Sequence, residues 1–193
     1  ASGRNGGHVN NGFAQDYAAL SQRLGSELAD RIYRAFDAGV DTVERLVRQE
    51  SIDCDFARCG HLEVACKQKH FDHYARQVET IAREFNHQLR IVPRNELAGE
   101  IGSAIYYGGM VDEVSAGLNP ARYVAGLATS AIKAGARVFE NTRVESLARA
   151  ANNGSSGWQI ATTNGTVWAR DVFVATSGYT SGTTPVLQKK IIP

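Results

Sequence analysis

The sequence predicts an α/β fold, and three observations carry that prediction. Asn119-Pro120 starts a helix that runs to Gly135 and passes at once into a strand over 137–141, the helix–glycine–strand order of a βαβ unit. Residues 144–170 alternate apolar and polar side chains around an Asn164-Gly165 turn, which reads as a β-meander of strands 144–150, 157–163 and 166–170. Val172-Phe173-Val174-Ala175 is a continuous apolar run, the mark of a parallel strand buried on both faces.

The remaining elements follow in order. Residues 1–12 are rich in Gly and Asn, interrupted by Arg4 and His8, and read as a shaped loop. Leu24, Leu28, Ile32, Phe36, Val40, Val43 and Val47 recur at helical steps and predict one long helix over 17–50, with Gly39 as a break or a close packing point. Leu62, Val64 and Cys66 alternate after Gly60 and predict a strand. Phe71, Tyr74, Val78, Ile81 and Phe85 form the stripe of a second helix over 68–87, and Leu89, Ile91 and Val92 a short strand stopped by Pro93. Residues 94–118 read as loop and short elements. In the Asn119-Pro120 helix an N-cap side chain precedes Pro at the first helical position, and Val124, Leu127, Ala128, Ala131 and Ile132 make its buried face.

Bulk properties narrow the function. The 193 residues allow one fair-sized domain or two small ones, and 43% hydrophobic and 21% charged residues are ordinary for a globular protein. A formal net charge of +1 offers no attraction to nucleic acid or to an acidic membrane surface. No apolar stretch reaches the length of a membrane span. The N-terminus lacks both Met and the apolar core of a signal peptide, and the chain ends on Ile191-Ile192-Pro193, so both ends read as those of a cut piece. Cys54, Cys59 and Cys66 match no common zinc spacing and read as small, partly buried side chains in a reducing compartment. His61, His70, His73 and His87 are scattered. His70 and His73 share a helix but have no third ligand, so no metal site is expected. Glu140 reads as a strand-end carboxylate rather than a general base.

Three separated pieces carry the chemistry. Backbone N–H groups of Ser2-Gly3-Arg4-Asn5-Gly6-Gly7 are able to converge on a phosphate oxygen, with Arg4 adding a forked cation. The second piece is the strand and turn ending at Val144. The third is the strand end Ala175-Thr176-Ser177-Gly178, small residues at the carboxyl edge of a sheet, where open α/β folds bind ligands. With Gly117-Leu118-Asn119-Pro120 and the Gly135-Ala136 turn, these pieces fall in an order that resembles the FAD-dependent amine and amino-acid oxidoreductases of the D-amino-acid oxidase, glycine oxidase and sarcosine oxidase type. The likeness is strongest to the branch that contains gamma-glutamylputrescine oxidoreductase. It runs over essentially the whole chain.

The resemblance implies a partial FAD/NAD(P)-binding Rossmann-like domain with a β-meander, built from 1–51 and 116–193, and part of an antiparallel-sheet substrate domain over 52–115. It implies that Ser2, Gly3, Arg4, Asn5, Gly6 and Gly7 line the FAD pyrophosphate and approach the flavin. It further implies that Val144 offers its backbone to the adenine and that Ala175, Thr176 and Gly178 pack beside the cofactor. Family members often carry Gly where this chain has Ser177. The opening strand and G-x-G-x-x-G that the family uses to seat the pyrophosphate are not in these residues, so the chain by itself is expected to bind FAD weakly or not at all. The implied activity is oxidation of the C–N bond of a small amine or amino acid, gamma-glutamylputrescine included, by hydride transfer to the flavin, in a cytoplasmic enzyme. No residue stands out as a catalytic base. His8, Tyr106 and Tyr107 are the candidates facing the substrate, against plainer readings as a solvated loop histidine and as packing aromatics. The rival readings are an inactive piece of a flavoprotein and a non-catalytic interaction module. The latter lacks the aromatic platforms near Arg4 that RNA binding would need.

Overall fold

The computed structural model describes residues 2–11, 16–85, 87–152, 155–180 and 182–190. The chain divides into two compact units, Ser2–Ser130 and the residues from Ala131 onward. In chain order the elements are β1 (His8–Val9), α1 (Tyr17–Leu24), α2 (Ser26–Gln49), β2 (His61–Val64), α3 (Gln68–Phe85), β3 (Leu89–Pro93), β4 (Gly108–Asp112), β5 (Ala116–Gly117), α4 (Pro120–Lys133), β6 (Val144–Asn152), β7 (Ser155–Thr162), β8 (Gly165–Ala169) and α5 (Pro185–Gln188). Among the described residues no helix is long and apolar enough to cross a membrane.

The Ser2–Ser130 unit is built on an antiparallel sheet of order β2-β4-β3. Pro93 ends β3 on the sheet edge, where a nitrogen without a hydrogen breaks no ladder. Val92, Leu97 and Val111 form a buried cluster, with Leu62, Val64, Ile101 and Tyr106 packed around it. Helix α3 lies against β3 and β4 and buries Ile81. A second, two-stranded sheet pairs β1 with β5.

Three local expectations change here. The predicted helix over 17–50 is interrupted at Gly25, not Gly39. Gly25 takes φ +84, a left-handed conformation that ends α1, while Asp16 caps the start of α1 by accepting from Ala19 N at 2.7 Å. Nothing lies within 4 Å of where a Gly39 Cβ would sit, so α2 runs straight through it. The predicted apolar face is only partly buried: Val40 is enclosed, but Leu24, Leu28 and Phe36 remain exposed. The segment 94–118, read as loop, also contains the central strand. Every residue of β4 is buried, yet its apolar run is short and opens on two glycines. Those glycines are a packing requirement, because a Cβ on Gly108 would lie 2.5 Å from the Phe71 ring and 2.7 Å from the Val92 carbonyl oxygen.

The unit from Ala131 onward holds the predicted meander, with β7 between β6 and β8. Thr162 pairs with Gly165, so the tight turn is Thr163-Asn164, one place earlier than predicted, and Gly165 takes φ +136 just after it. Arg149 lies over the Trp158 ring at 4.1 Å.

The two predicted parallel strands do not form. Residues 137–141 and 172–175 have no ladder partner among the described residues. A parallel strand takes all its hydrogen bonds from neighbours remote in sequence, so an apolar run alone cannot make one. Phe173, expected inside, is 92% exposed. The predicted buried face of α4 is likewise open, with Val124 and Ile132 exposed. Of the cysteines only Cys54 is buried; Cys59 and Cys66 are exposed, contrary to their expected partial burial.

Two glycines should respond with opposite signs. Gly108→Ala forces a methyl into a ring and a carbonyl and should destabilise by about 2 kcal/mol or more. Gly39→Ala adds a methyl in open space inside a helix and should stabilise by about 0.5–1 kcal/mol. Urea-unfolding midpoints at constant slope check both; a neutral Gly108→Ala would contradict the packing described.

Candidate functional site

The glycine-rich turn is shaped by its own asparagine. Asn5 Nδ2 donates to the Ser2 carbonyl at 2.7 Å, and Asn5 Oδ1 accepts from Gly7 N at 2.9 Å. An asparagine side chain that bonds two residues onward closes a turn as a backbone carbonyl would. Gly7 is buried at φ +72, and a Cβ there would lie 2.0 Å from the Leu118 carbonyl oxygen and 3.3 Å from Pro120 Cδ. Leu118 N donates to the Gly7 carbonyl at 3.0 Å, and a Gly3 Cβ would stand 3.5 Å from Ala121 Cα. The turn is therefore seated on the N-terminus of α4. Asn119 caps that end, accepting from Arg122 N at 3.2 Å, and is itself held by Asn119 N donating to the Cys54 carbonyl at 2.7 Å.

This seat has the chemistry of an anion cradle. Among the described residues the N–H groups of Gly3, Arg4, Asn5 and Gly6 donate to no protein acceptor, and no carboxylate pairs with Arg4. Free N–H groups in a turn, the positive end of a 14-residue helix and a guanidinium all favour a phosphate. Two motifs more than a hundred residues apart, Ser2-Gly3-Arg4-Asn5-Gly6-Gly7 and Gly117-Leu118-Asn119-Pro120, are thus brought into contact. The residues present fit a pyrophosphate.

The other expected site residues lie as follows. His8 leaves the turn on β1 and faces His61 of β2, ring centroids 5.3 Å apart. Tyr106 packs against the Val92, Leu97 and Val111 cluster. Tyr107 is 38% exposed, with the Arg94 guanidinium 5.3 Å from its ring centre. In the second unit Val144 opens β6 beside a bulge, and its carbonyl accepts from Thr183 Oγ1 at 3.3 Å. Residues after 175 close into a tight turn: Thr176 Oγ1 contacts Thr180 Oγ1 at 2.7 Å, and Tyr179 N donates to the Thr176 carbonyl at 3.0 Å. Ser177 takes φ +48, the left-handed region where glycine is the usual residue. Ala175, Thr176 and Gly178 are exposed.

Within the Ser2–Ser130 unit a cavity of about 400 Å³ opens among α1, α2, α3 and the sheet. Asp16, Tyr17, Glu63, His73 and Asp112 contribute to its lining. Tyr17 OH donates to Asp30 Oδ1 at 2.5 Å, a bond that pushes the phenol up to about 12. Beside the cavity sits a polar group to which sequence reasoning gives no role. His87 is buried, Nε2 2.8 Å from Asp112 Oδ1 and Nδ1 3.2 Å from Asp37 Oδ2. Burial alone would lower its pKa, but the hydrogen bonds and charges of Asp112 and Asp37 outweigh it and raise the value. Asp112 shows the converse. Burial would raise it, and the bonds from His87, Ser115 and Val114 N bring it below the ordinary carboxylate range. No pattern in the sequence signals this cluster, because its members come from α2, the end of β4 and the segment between α3 and β3.

Comparison with known proteins shows the family and, in part, the fold. The family described as FAD dependent oxidoreductase matches residues 1–193. A probable oxidoreductase OrdL of Haemophilus influenzae is 27% identical over 93% of this chain and 41% of its own length. The gamma-glutamylputrescine oxidoreductase of Escherichia coli is 28% identical over 100% of this chain and 44% of its own. The chain thus spans less than half the length of these curated relatives. Among solved structures, glycine oxidase from Geobacillus kaustophilus superposes with a TM-score of 0.71 at 22% identity, covering 97% of this chain and 48% of that one. Iminodiacetate oxidase from Chelativorans superposes with a TM-score of 0.64 at 17% identity, covering 97% of this chain and 47% of that one. The fold is that of these oxidases, in part, and the chain belongs to the FAD-dependent oxidoreductase family of the D-amino-acid oxidase type.

Proposed function

We propose that this chain supplies the pyrophosphate-lining part of an FAD site in an enzyme that oxidises the C–N bond of a small amine or amino acid. The observation that carries the reading is the 2–7 turn seated on the N-terminus of α4, with the N–H groups of Gly3 to Gly6 and the Arg4 guanidinium unclaimed among the described residues. Residues 1–51 and 116–193 are assigned to the cofactor domain and 52–115 to the substrate domain. Val144, Ala175, Thr176 and Gly178 are assigned to the cofactor, the first through its backbone and the others as small residues at its flank. His8, Tyr106 and Tyr107 are assigned to the substrate side.

The relatives support the substrate class. Gamma-glutamylputrescine, glycine and iminodiacetate, named for three of them, all carry an amine nitrogen on carbon. Held by the 2–7 turn, Arg4 and the start of α4, a flavin cofactor would supply the redox chemistry, accepting a hydride from the amine-bearing carbon of a substrate that would leave as an imine for water to hydrolyse. The work of this chain is placement. Gly7 lets the turn close onto Leu118, Asn5 fixes the direction of the turn N–H groups, and Arg4 neutralises phosphate charge. No proton transfer by a side chain is assigned, because a neutral amine needs no base to give up a hydride.

The protein expressed from its complete coding sequence should bind FAD and show a protein-bound flavin spectrum. Arg4→Ala should weaken FAD binding by roughly ten- to a hundred-fold, the effect of losing one charge-assisted contact worth about 1.5–3 kcal/mol. An amine and amino-acid panel, read by peroxide release and by reduction of an artificial acceptor, should yield at least one substrate. Failure to take up flavin would remove the cofactor reading; uptake without turnover of any amine would remove C–N oxidation.

A further inference from the structure

His87 exposes 2% of its side chain and stands between carboxylates from two different elements, Asp37 on α2 and Asp112 at the end of β4. Each carboxylate is bonded onward. Asp37 Oδ1 accepts from Asn11 Nδ2 at 2.8 Å, and Asn11 lies on the segment leaving the glycine–arginine turn and β1. Asp112 accepts from Val114 N at 3.0 Å and from Ser115 Oγ at 2.9 Å. Ser115 precedes β5, the strand that pairs with β1. A line of five side chains, Asn11, Asp37, His87, Asp112 and Ser115, therefore runs from the exit of the turn to the strand that pairs beside it.

The ring must carry both hydrogens for this line to be closed. An ionised carboxylate only accepts, and a neutral imidazole has a single N–H. With one proton fewer, one ring nitrogen would direct a lone pair at a carboxylate oxygen, and two negative groups would face each other across a neutral, buried ring. Among the described residues Tyr33 of α2 also stands against the ring, edge-on at 5.7 Å. Burial, with the charges of Asp37 and Asp112, raises its pKa, so it stays neutral and adds no charge.

We propose that His87 is a positioning residue: as a buried imidazolium bridging Asp37 and Asp112, it fastens the segment leaving the glycine–arginine turn to the antiparallel sheet, so that one proton sets the geometry of the turn. Its bearing on catalysis rests on the reading of that turn as FAD-lining. The sign of the pH dependence follows. The folded pKa lies above the ordinary 6.5, so the clamp is complete below that value and is lost as pH rises through the folded one. Asp112 sets the acid limit. Its folded pKa lies below 3.8, so its contribution is present above 3.8 and lost as pH falls through the folded value.

The test is an NMR titration of the 193-residue chain without FAD, from about pH 5 to pH 9, a span that brackets the ordinary histidine value. It follows the His87 ring and the Asn11 side-chain amide. The ring should titrate above 6.5, and the Asn11 amide should shift with the same midpoint. Asp37→Asn keeps an oxygen for Asn11 but removes a charge, and should lower the midpoint. His87→Gln should abolish the Asn11 transition. An Asn11 amide that stays still while His87 titrates overturns the clamp. So does a midpoint indifferent to Asp37→Asn, which decides the matter if His87→Gln does not fold. In the FAD-binding protein from the complete coding sequence, FAD affinity should fall at least about five-fold across the same midpoint and follow its displacement by Asp37→Asn. Affinity flat with pH, with the Asn11 coupling intact, overturns the link between clamp and turn. Failure to bind FAD at any pH instead overturns the functional reading of the turn, and the clamp then stands or falls on the NMR result.

Discussion

No side chain fits at residue 7, and the described part of the candidate site follows from that. The space a Gly7 Cβ would need is filled by the Leu118 carbonyl, and the same two residues are joined by a backbone hydrogen bond. A contact this close between two stretches of main chain holds the turn directly on the first residues of α4, with no flexible side chain between them. The N–H groups of the turn and the positive end of the helix are thereby brought to one spot, where Asn5 shapes the turn. The β1–β5 pairing continues the same contact, His8 against Gly117 and Val9 against Ala116. Proximity of turn and helix start is thus a backbone property, which explains how a site with few side-chain contacts of its own stays in place.

Patterns that are local in sequence were legible in it. Residues 68–87 as a helix, Leu62 and Val64 as a strand, the meander and the Asn119-Pro120 start all rest on spacing within one element. The 2–7 turn was legible because glycine and asparagine cluster there for a conformational reason. What could not be read depends on partners. Strand β4 is central because β2 and β3 flank it, and its own residues announce little beyond two glycines whose purpose is room for Phe71 and for the Val92 carbonyl. The break at Gly25 and the continuity at Gly39 involve the same residue type; only the φ of +84 at the first separates them. The strands expected at 137–141 and 172–175 carry the right composition, and composition cannot supply a ladder.

His87 was illegible for a stronger version of the same reason. Its carboxylate partners lie 50 and 25 residues away, and nothing at helical or strand spacing connects them. Compare Arg58, which reaches Asp41, Glu44 and the Val114 carbonyl, each at 2.6 Å, and ties α2 to the turn before β5. Arg58 is more exposed than His87 or Asp112, so water screens its pairs and each contributes little on its own. His87 and Asp112 are shielded, with 2% and 9% of their side chains exposed, so their polar atoms have little solvent to fall back on, and loss of one strands the other. Two bridges between the same helix and the same part of the sheet therefore do different work. Arg58 adds a tolerant brace, whereas His87 makes the joint conditional on protonation.

The exposed apolar residues extend this reasoning from single groups to surfaces. Val124 and Ile132 on α4 recur at the spacing of a helical face, and Val138, Phe139, Phe173 and Tyr179 lie exposed further along the chain. Isolated exposed apolar side chains are ordinary, but a helical stripe together with two segments of strand-like composition is a pattern. Helical periodicity records the environment a face is suited to, whether or not the residues at hand supply it. The departures from the expected burial thus share one physical basis. Each rests on an amphipathic or apolar pattern in a segment that finds no ladder partner or covering face among the described residues. Where partners were present, as for β2, α3 and the meander, the same rules gave the right element.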